Sequence, residues 1–459
     1  MGGLLNALNA GKTSLSTNQK AIEIAGNNIA NVNTPGYSRQ NPVLSPYPAL
    51  NFGDFFIGQG VKISNVQREH DVFVTAQILD KNRTLGEEGA RSTPLNELER
   101  VFSVGENSLA TEVDRFFDAW QELTANPSGQ VERDIVLQRG DLLARAFQSA
   151  VGEFDSVRKN INSTLASKID SVNFKLQEVA DLNERIAAVE TTGQTANTFR
   201  DQRDLLLQEL SFSLGIQSFE ENTGMVSVQL PGGLPLVQGN TALRLEGVQV
   251  GKDLQLTLKQ GGTTLDVNLN NLGGEFKGLV DVRDKFIPAL QDDLDKMAYE
   301  LATVVNTGHR AGVGLDGVGG RDFFIDLAGP ADAARNLSVA LQKGSDIAAG
   351  ESSAPGDNTN AMRLAALGRT KTIDGEDTFV SFYGKMTARV GIEAGQNRLT
   401  RGGAEDAMVQ LKNLRDAKVG VSLEEEMINL IQFQKGFEAS AKFLATVDEM
   451  MDTILSLKR

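Results

Sequence analysis

Residues that could carry out catalysis are few and lie far apart in this chain. It has no cysteine, and its two histidines are His70 and His309. The lack of cysteine excludes disulfides, thiolate zinc sites and cysteine nucleophiles. Two histidines separated by more than half of the sequence argue against histidine-dependent catalysis. We therefore interpret both as structural residues.

Two other motifs look like ligand sites but lack the context that such sites need. Gly312 to Gly317 match GxGxxG, yet a predicted helix precedes them and a short apolar strand follows, the reverse of a dinucleotide fingerprint. We interpret them as a glycine turn. Asp292, Asp293 and Asp295 are interpreted as the solvated face of a helix. The sequence therefore predicts no enzyme, no cofactor and no metal site.

The first 40 residues carry a heptad repeat instead of reactive groups. Small and aliphatic residues recur every seven positions on two seams, with Leu8, Leu15, Ile22 and Ile29 on one and Leu4, Gly11, Asn18, Ala25 and Val32 on the other. This spacing predicts a coiled-coil helix. It would be weak alone, because glycine and asparagine occupy seam positions.

Four asparagines crowd the end of this predicted helix, just before Thr34-Pro35-Gly36 terminates it. Buried amides in a seam specify register at some cost in stability. We predict that Asn28, Asn31 and Asn33 form hydrogen bonds within or between subunits. Simple capping of the helix end is the alternative.

The region after Gly420 predicts a second long helix that needs a partner. Ser422 and Glu425 have the spacing of a capping box, and a seam follows through Leu423, Met427, Leu430, Phe437, Ala441, Leu444, Val447, Met451 and Ile454. Ordering roughly 35 residues costs about 1–2 kcal/mol each. About ten buried apolar side chains return about 1.5–3 kcal/mol each. The heptad repeat of the first 40 residues is the obvious partner. The two helices would pair either in a polymer, where neighbouring subunits supply further burial, or as an intramolecular pair in a monomer.

Composition limits the possible partners. A chain of 459 residues predicts two to four domains. Its formal net charge of −15 argues against nucleic acid and anionic membranes. No apolar run is long enough for a transmembrane helix, and no cleavable secretory signal is visible.

The remaining periodicities predict an α+β chain that is mainly α. They predict one long helix at about 129–190, and a helix that begins at about His70 and is interrupted at Pro94. We expect a long helical bundle with N- and C-terminal helices forming a coiled coil, an inserted small antiparallel β domain and a mixed glycine-rich segment. The predicted division is an inner terminal coiled-coil domain (1–40 and 415–459), a helical middle domain (41–213, 276–310 and 380–414), an outer β domain (214–275) and a mixed loop and strand segment (311–379).

Several stretches resemble the bacterial flagellar axial proteins, a family of rod, hook and hook-associated subunits. The sequence ANVNTPGYSRQ (30–40) is similar to the signature of that family. Similar stretches are 58–74, ANTFRDQRDLLLQELS (196–211), 276–312, LDGVGGRDFF (315–324) and 420–455. The Tyr37-Ser38-Arg39-Gln40 ending and the Asp-x-Arg-Asp helix resemble the hook-associated members. The chain is short for such a member, so an outer domain could be reduced.

This resemblance implies a structural subunit of the ring that joins hook to filament. Implied partners are copies of itself, the hook protein, a second junction protein and an export chaperone, and the implied location is the extracellular flagellum after export without a cleavable signal. Implied assembly residues are Leu8, Leu15, Ile22, Asn28, Ile29, Asn31, Asn33, Tyr37, Leu430, Phe437, Leu444, Val447 and Met451. Implied chaperone-binding residues are Leu423, Met427, Leu430 and Phe437.

Alternatives to that function stay open at this point. The chain could be another axial subunit of the hook, the rod or the filament side of the junction. It could also be a flagellar scaffold that displays an adhesin surface on residues 214–275 or 308–405.

Overall fold

The computed structural model describes residues 2–51, 56–103, 105, 108–354 and 356–456. Long helices dominate. They are α1 (Gly2–Ala30), α2 (Val72–Val101), α3 (Leu109–Leu123), α4 (Gln130–Glu190), α5 (Asn197–Leu214), α6 (Gly274–Asp281), α7 (Ile287–Arg310), α8 (Ala333–Asn336), α9 (Thr359–Leu367), α10 (Phe379–Val419) and α11 (Leu423–Ser456). A π-helical segment, Val282–Phe286, joins α6 to α7.

Short antiparallel strands lie between these helices. They are β1 (Gln40–Pro46), β2 (Leu50–Asn51), β3 (Phe56–Ile57), β4 (Val61–Arg68), β5 (Gln217–Glu220), β6 (Val226–Gln229), β7 (Pro235–Gln238), β8 (Thr241–Ala242), β9 (Arg244–Val250), β10 (Asp253–Gln260) and β11 (Thr263–Asp266). They pair as β1-β4, β2-β3, β5-β6-β7-β8 and β11-β10-β9. The prediction of a mainly helical α+β chain with long terminal helices is confirmed.

The helix α4 organises the body, and its burial follows the sequence pattern. It is 61 residues long, and its apolar residues at gaps of three and four, from Val151 through Leu165 to Ile186, are buried. A stripe with this spacing must be covered by other elements along its length. The resulting core includes residues of α3, α7, α10 and the strands β6 to β10.

Three asparagines attach the strands to α4. Asn183 donates to the carbonyl of Val226 at 2.8 Å and accepts from its N–H at 3.0 Å. Asn173 makes the same two contacts with Leu245, both at 2.8 Å. Asn162 accepts from the N–H of Leu254 at 3.2 Å. Each amide satisfies the backbone groups of a strand, so the sheets lie along α4 and share its core. The division into an inner, a middle, an outer and a mixed part, which we predicted from the sequence, stays a proposal.

Two antiparallel helices, α2 and α10, lead from the body to the terminal helices. Asn397 on α10 donates to the carbonyl of Glu88 on α2 at 2.8 Å. At the other end of the pair, Lys418 forms an ion pair with Asp71 at 2.7 Å. The hairpin β1-β4 lies against α1, where the hydroxyl of Thr17 donates to the carbonyl of Val61 at 2.9 Å. The chain ends are therefore tied to the body through β1, β4 and α10.

Candidate assembly site

The two terminal helices pack against each other in antiparallel orientation. Near the end of α1, the Asn28 amide contacts Glu426 at the beginning of α11. In the middle, the hydroxyls of Ser14 and Ser440 are 2.8 Å apart. Gly11 lies against Leu444, where an added Cβ would be 2.8 Å from the Leu444 Cδ2. The lack of a side chain at Gly11 therefore allows the helices to approach closely.

The seam of α1 differs by one residue from the predicted one. Ala21, Ala25 and Asn28 are buried, and Gly11, Ser14 and Asn18 contact α11. The observed positions are thus 11, 14, 18, 21, 25 and 28. One predicted row, which holds Gly11, Asn18 and Ala25, is on the seam. The other row, which holds Leu8, Leu15, Ile22 and Ile29, is half-buried and thus less covered than Ala21, Ala25 and Asn28.

The reason for this shift is the size of the residues in the seam. Alanine, glycine and serine let two helix backbones approach, as they do where helices pack through small residues. Four large aliphatic side chains at the interface would hold the helices further apart. The polar contacts at Asn28 and Ser14 then fix the rotation of α1. The aliphatic row that we placed in the interface is only half-buried.

The predicted residues of α11 divide into a covered row and an exposed row. Val447 is buried, and Leu430, Phe437, Leu444 and Met451 are half-buried at heptad spacing on the side that contacts α1. Leu423 and Met427 are exposed, the latter to 57%. Of the residues implied for chaperone binding, two are thus accessible and two, Leu430 and Phe437, are partly covered.

Asn28 is the centre of a buried polar network. It is 1% exposed. Its amide donates to the carbonyl of Gln40 at 2.9 Å and to the Glu426 carboxylate at 3.1 Å. Its oxygen accepts from the N–H of Gln40 at 3.0 Å and the hydroxyl of Tyr37 at 2.8 Å. One side chain therefore joins the end of α1, the start of β1 and the start of α11.

The other predicted asparagines have local or exposed positions. Asn31 donates to the carbonyl and the side-chain oxygen of Asn27, both at 2.9 Å, and accepts from Thr34 at 3.1 Å. These contacts are those of a helix cap. Asn33 is exposed. Among the three predicted residues, Asn28 alone is within reach of α11 in the part of the chain that the structure describes.

Arg39 connects the same network to the acidic start of α11. It donates to Glu426 at 2.7 Å and to Glu425 at 2.6 Å, and its N–H donates to the carbonyl of Val419 at 3.0 Å. Burial lowers the pKa of Arg39, but its hydrogen bonds with the two glutamates outweigh burial and leave that pKa above the ordinary value. We call Asn28, Tyr37, Arg39, Gln40 and Glu426 the polar hub.

The charges of the hub also act on Tyr37. Burial, followed by the nearby charges of Asp201 and Glu426, raises the pKa of Tyr37 to about 12. The hydroxyl therefore stays protonated and donates to Asn28 at neutral pH. A phenolate there would face two carboxylates and the amide oxygen.

A second network attaches the hub to α5. Asp201 accepts from the N–H of Ser38 at 3.0 Å and from Arg68 at 2.6 Å, and Arg68 also pairs with Asp204 at 2.7 Å. Between the networks, Gly36 has a φ of +82° and its carbonyl accepts from Arg415 at 3.1 Å. The Asp-x-Arg-Asp motif thus anchors the turn after α1.

Sequence reasoning did not assign Arg39, Glu426, Asp201 and Arg68 to this site. A signal existed for all four, because they belong to the stretches 30–40, 58–74, 196–211 and 420–455 that carried the family resemblance. The local sequence did not indicate their partners. Arg68, for example, pairs with aspartates that are 133 positions or more away in sequence.

The residues that suggested chemistry have structural positions. The ring of His309 is fully buried; its Nε2 accepts from the N–H of Ala348 at 2.9 Å, and its Nδ1 donates to the carbonyl of Arg321 at 2.7 Å. Burial lowers the pKa of His309. Burial also lowers the pKa of His70, opposed by the nearby Asp204. The contacts of His309 with Ala348 and Arg321 require a neutral ring that carries its proton on Nδ1.

The three aspartates that we interpreted as a solvated helix face, Asp292, Asp293 and Asp295, differ in their positions. Asp293 pairs with Arg389 at 3.0 Å, as a surface residue would. Asp295 is instead buried, accepts from the N–H of Ala334 at 2.8 Å, and has a pKa raised by burial. Across the described ranges there is no group of three or more acidic or histidine side chains that could hold a metal ion. The described helices include none long and apolar enough to cross a membrane.

Comparison with known proteins gives consistent matches over nearly the whole chain. The family described as "Flagellar hook-associated protein FlgK helical domain" matches residues 95–324. "Flagella basal body rod protein" matches 8–37, and "Flagellar basal body rod FlgEFG protein C-terminal" matches 417–457. The match to residues 8–37 covers most of α1, and the match to residues 417–457 contains α11.

Curated relatives and a solved structure are similar over long stretches. Flagellar hook-associated protein 1 of Bacillus subtilis is 29% identical, over 98% of this chain and 97% of that protein. The Escherichia coli protein of the same name is 23% identical, over 98% and 99%. The structure of the flagellar hook junction protein FlgK from Burkholderia pseudomallei aligns with a TM-score of 0.68 at 17% identity, covering 75% of this chain and 100% of that one.

Proposed function

Because the chain belongs to the FlgK family of flagellar hook-associated proteins, we propose that it is a structural subunit of the junction between hook and filament, which assembles through its terminal helices. The family is a structural one, and its members are parts of the flagellum. The role of this chain is therefore to hold two polymers together.

The pairing of the chain ends is the observation that supports assembly through α1 and α11. These helices carry the matches to the rod proteins. Their mutual seam is narrow, and it leaves large apolar side chains exposed, among them Leu5, Met427, Ile428 and Ile431. Exposed apolar side chains at this density are typical of a protein–protein interface. Neighbouring subunits in a ring would cover them.

The proposal includes the partners and the residues that bind them. Copies of the chain would contact each other through the sides of the α1–α11 pair, where Leu8, Leu15, Ile22 and Ile29 border the seam. The hook protein and a second junction protein would bind the two ends of the ring. Before assembly, an export chaperone would cover Leu423 and Met427. The protein would reach the outside of the cell by flagellar export without a cleavable signal.

Deletion of the protein in its own bacterium tests this function. We expect intact hooks, loss of filaments, and monomeric filament protein in the medium, with recovery when the wild-type chain is returned. Loss of the hook itself would instead indicate a hook or rod subunit. Normal filaments in the deletion strain would refute the junction role.

A further inference from the structure

A groove lies between α2 and β5, on the body of the molecule. Its volume is about 580 Å³, within the range of roughly 300–1,000 Å³ that is typical of ligand sites. One wall is a face of α2 that holds Val72, Thr75, Ala76, Leu79, Asp80 and Arg83. The other wall is residues 216–220, and α5 contributes the floor through Arg203, Leu207 and Ser211. We call it the strand-edge groove.

The two walls are attached to a fixed floor but not to each other. The Ser211 hydroxyl of α5 donates to the carbonyl of Leu79 on α2 at 2.6 Å. Leu207 and Ile216 are buried beneath the groove. Among the residues that the structure describes, no hydrogen bond or ion pair joins α2 to β5. The space between these walls is therefore accessible to a ligand.

The wall formed by β5 is the free edge of a sheet. In the β5–β6 register, Glu220 is opposite Val226 and Ser218 is opposite Val228. The N–H and C=O of Val226 bond to Asn183 instead, so Glu220 and Val226 are a pair without mutual hydrogen bonds. Such pairs alternate with bonded ones. The backbone groups of Ser218 and Glu220 therefore point to the free edge, where a further strand can bond to them.

The floor of the groove includes a buried arginine with one unbonded side. Arg203 is 1% exposed, and its Nη1 donates to the carbonyl of Gly224 at 2.6 Å and to Asn183 at 3.1 Å. Within the described ranges its Nε has no hydrogen-bond partner, and its Nη2 is 3.7 Å from the Glu220 carboxylate. Nε and Nη2 form a side of the guanidinium that can donate to both oxygens of a carboxylate. Because buried donors are nearly always bonded, this side suits an acceptor from outside the chain.

The acidic side chains of the groove are already paired with other arginines. Each of the three has a partner, at 2.6, 2.7 and 2.8 Å respectively: Asp80 with Arg83, Asp204 with Arg68, and Glu220 with Arg200. Burial lowers the pKa of Arg203, and the nearby Asp204 and Glu220 oppose that effect only in part. Charge complementarity therefore favours an occupant that brings one carboxylate to Arg203.

From these contacts we propose that the strand-edge groove binds an extended acidic segment of another protein. The segment adds a strand to the sheet, and its backbone bonds to Ser218 and Glu220. One of its Asp or Glu carboxylates accepts from Nε and Nη2 of Arg203. Side chains two positions away on either side point to the same face and contact Leu207 and Ile216, so they are apolar. This inference goes beyond the junction role and does not depend on it.

The occupant is neither a helix nor a second copy of this chain. A helix uses its own backbone groups internally and cannot bond to a sheet edge. Acidic residues in the described strands are Glu220, Glu246, Asp253 and Asp266, and all of them lie in strands that are already paired. A folded copy therefore offers no free acidic strand in the part of the chain that the structure describes.

A dye-labelled peptide, Val-Thr-Glu-Thr-Val with both ends blocked, tests the groove by fluorescence anisotropy with the purified chain. The matched peptide has Gln in place of Glu. We expect it to bind at least about tenfold more weakly, because it lacks the charge that strengthens a bidentate contact with arginine. Arg203→Lys should remove most of this difference, since lysine offers a point charge instead of a planar fork.

Two further measurements keep the test decisive if Arg203→Lys does not fold. Ser218→Pro removes an N–H from the free edge and leaves the bonds between β5 and β6 in place, so we expect it to weaken the binding of both peptides. Hydrogen exchange should show higher protection of residues 216–221 when the Glu peptide is bound, because the free amides of Ser218 and Glu220 become bonded.

Four outcomes would overturn the proposal. Equal binding of the two peptides to the wild-type chain would exclude the carboxylate contact, and unchanged binding in Ser218→Pro would exclude the added strand. Displacement of the Glu peptide by acetate at the same concentration would indicate a site for small anions instead. Self-association of the chain that the Glu peptide abolishes would place a second copy in the groove. These assays use the purified chain, so none of their outcomes bears on filament attachment.

Discussion

Replacement of Asn28 by alanine should weaken the attachment of α11 more than any other change at an asparagine of this region. The variant leaves the N–H and C=O of Gln40, the Tyr37 hydroxyl and one Glu426 oxygen without their partner. Neutral hydrogen bonds contribute about 0.5–1.5 kcal/mol each and those to a charged group about 1.5–3. Water can enter the space that is left, so we expect a net loss of about 3 kcal/mol.

Hydrogen exchange of the purified chain measures this loss where it occurs. Detachment of α11 is a local opening, and its free energy determines the protection of the amides in residues 423–456. A loss of 3 kcal/mol corresponds to about a hundredfold lower protection. The amides of α4 should be unchanged, because its core does not contain Asn28. Protection is read by mass spectrometry of matched peptides.

Asn31→Ala provides the matched control, since it removes an asparagine three residues away that bonds only to Asn27 and Thr34 among the described residues. We expect less than about 1 kcal/mol from it, as for a local cap. Equal protection of α11 in the two variants would refute the idea that Asn28 holds the terminal helices together.

Three further changes test other parts of the same reasoning. Gly36→Ala should destabilise the chain by roughly 1–2 kcal/mol in urea unfolding, because its φ of +82° disfavours a side chain; an unchanged midpoint would contradict this. Gly11→Val should lower the protection of α11 by crowding Leu444, whereas Gly26→Ala, which has open space around it, should preserve or raise it. His309 should make stability fall with acid: its pKa is lowered in the fold, so below about 6.5 the unfolded chain binds a proton that the folded chain does not. Urea unfolding at pH 7.5 and 5 should show a smaller decrease in His309→Gln, and an equal decrease would exclude this source.

The long helices could be predicted because their burial is periodic. The run of apolar residues in α4 gave its extent almost to the residue, from 129–190 predicted to Gln130–Glu190 observed. Pro94 was a misleading signal. We expected it to interrupt the helix, yet α2 continues through it from Val72 to Val101. Packing of α2 against α6, α5 and α10 stabilises the helix beyond the cost of one missing hydrogen bond.

The polar hub could be predicted only in part. Asn-rich sequence identified the end of α1, but which amide would be buried depends on the rotation of α1 against α11. A heptad pattern with two apolar rows leaves that rotation open by one residue. We placed the large aliphatic row in the contact with α11, and in the structure that row is half-buried while Ala21, Ala25 and Asn28 are buried. The small residues at Gly11, Ser14 and Ala21 decide it, because close approach of the backbones excludes the larger ones. The Arg68–Asp201 pair joins distant segments that no local pattern connects.

The contact between Asn28 and Glu426 also has a consequence for the order of folding. The two residues are 398 positions apart in sequence. Contacts with so large a separation form late, because a long stretch of chain must first be brought into place. The helices between α1 and α11 can form earlier from contacts that are closer in sequence, while α1 still lacks its partner. Until α11 is present, α1 therefore lacks the partner that contacts Asn28, and a chain cut short before α11 could not form the α1–α11 pair.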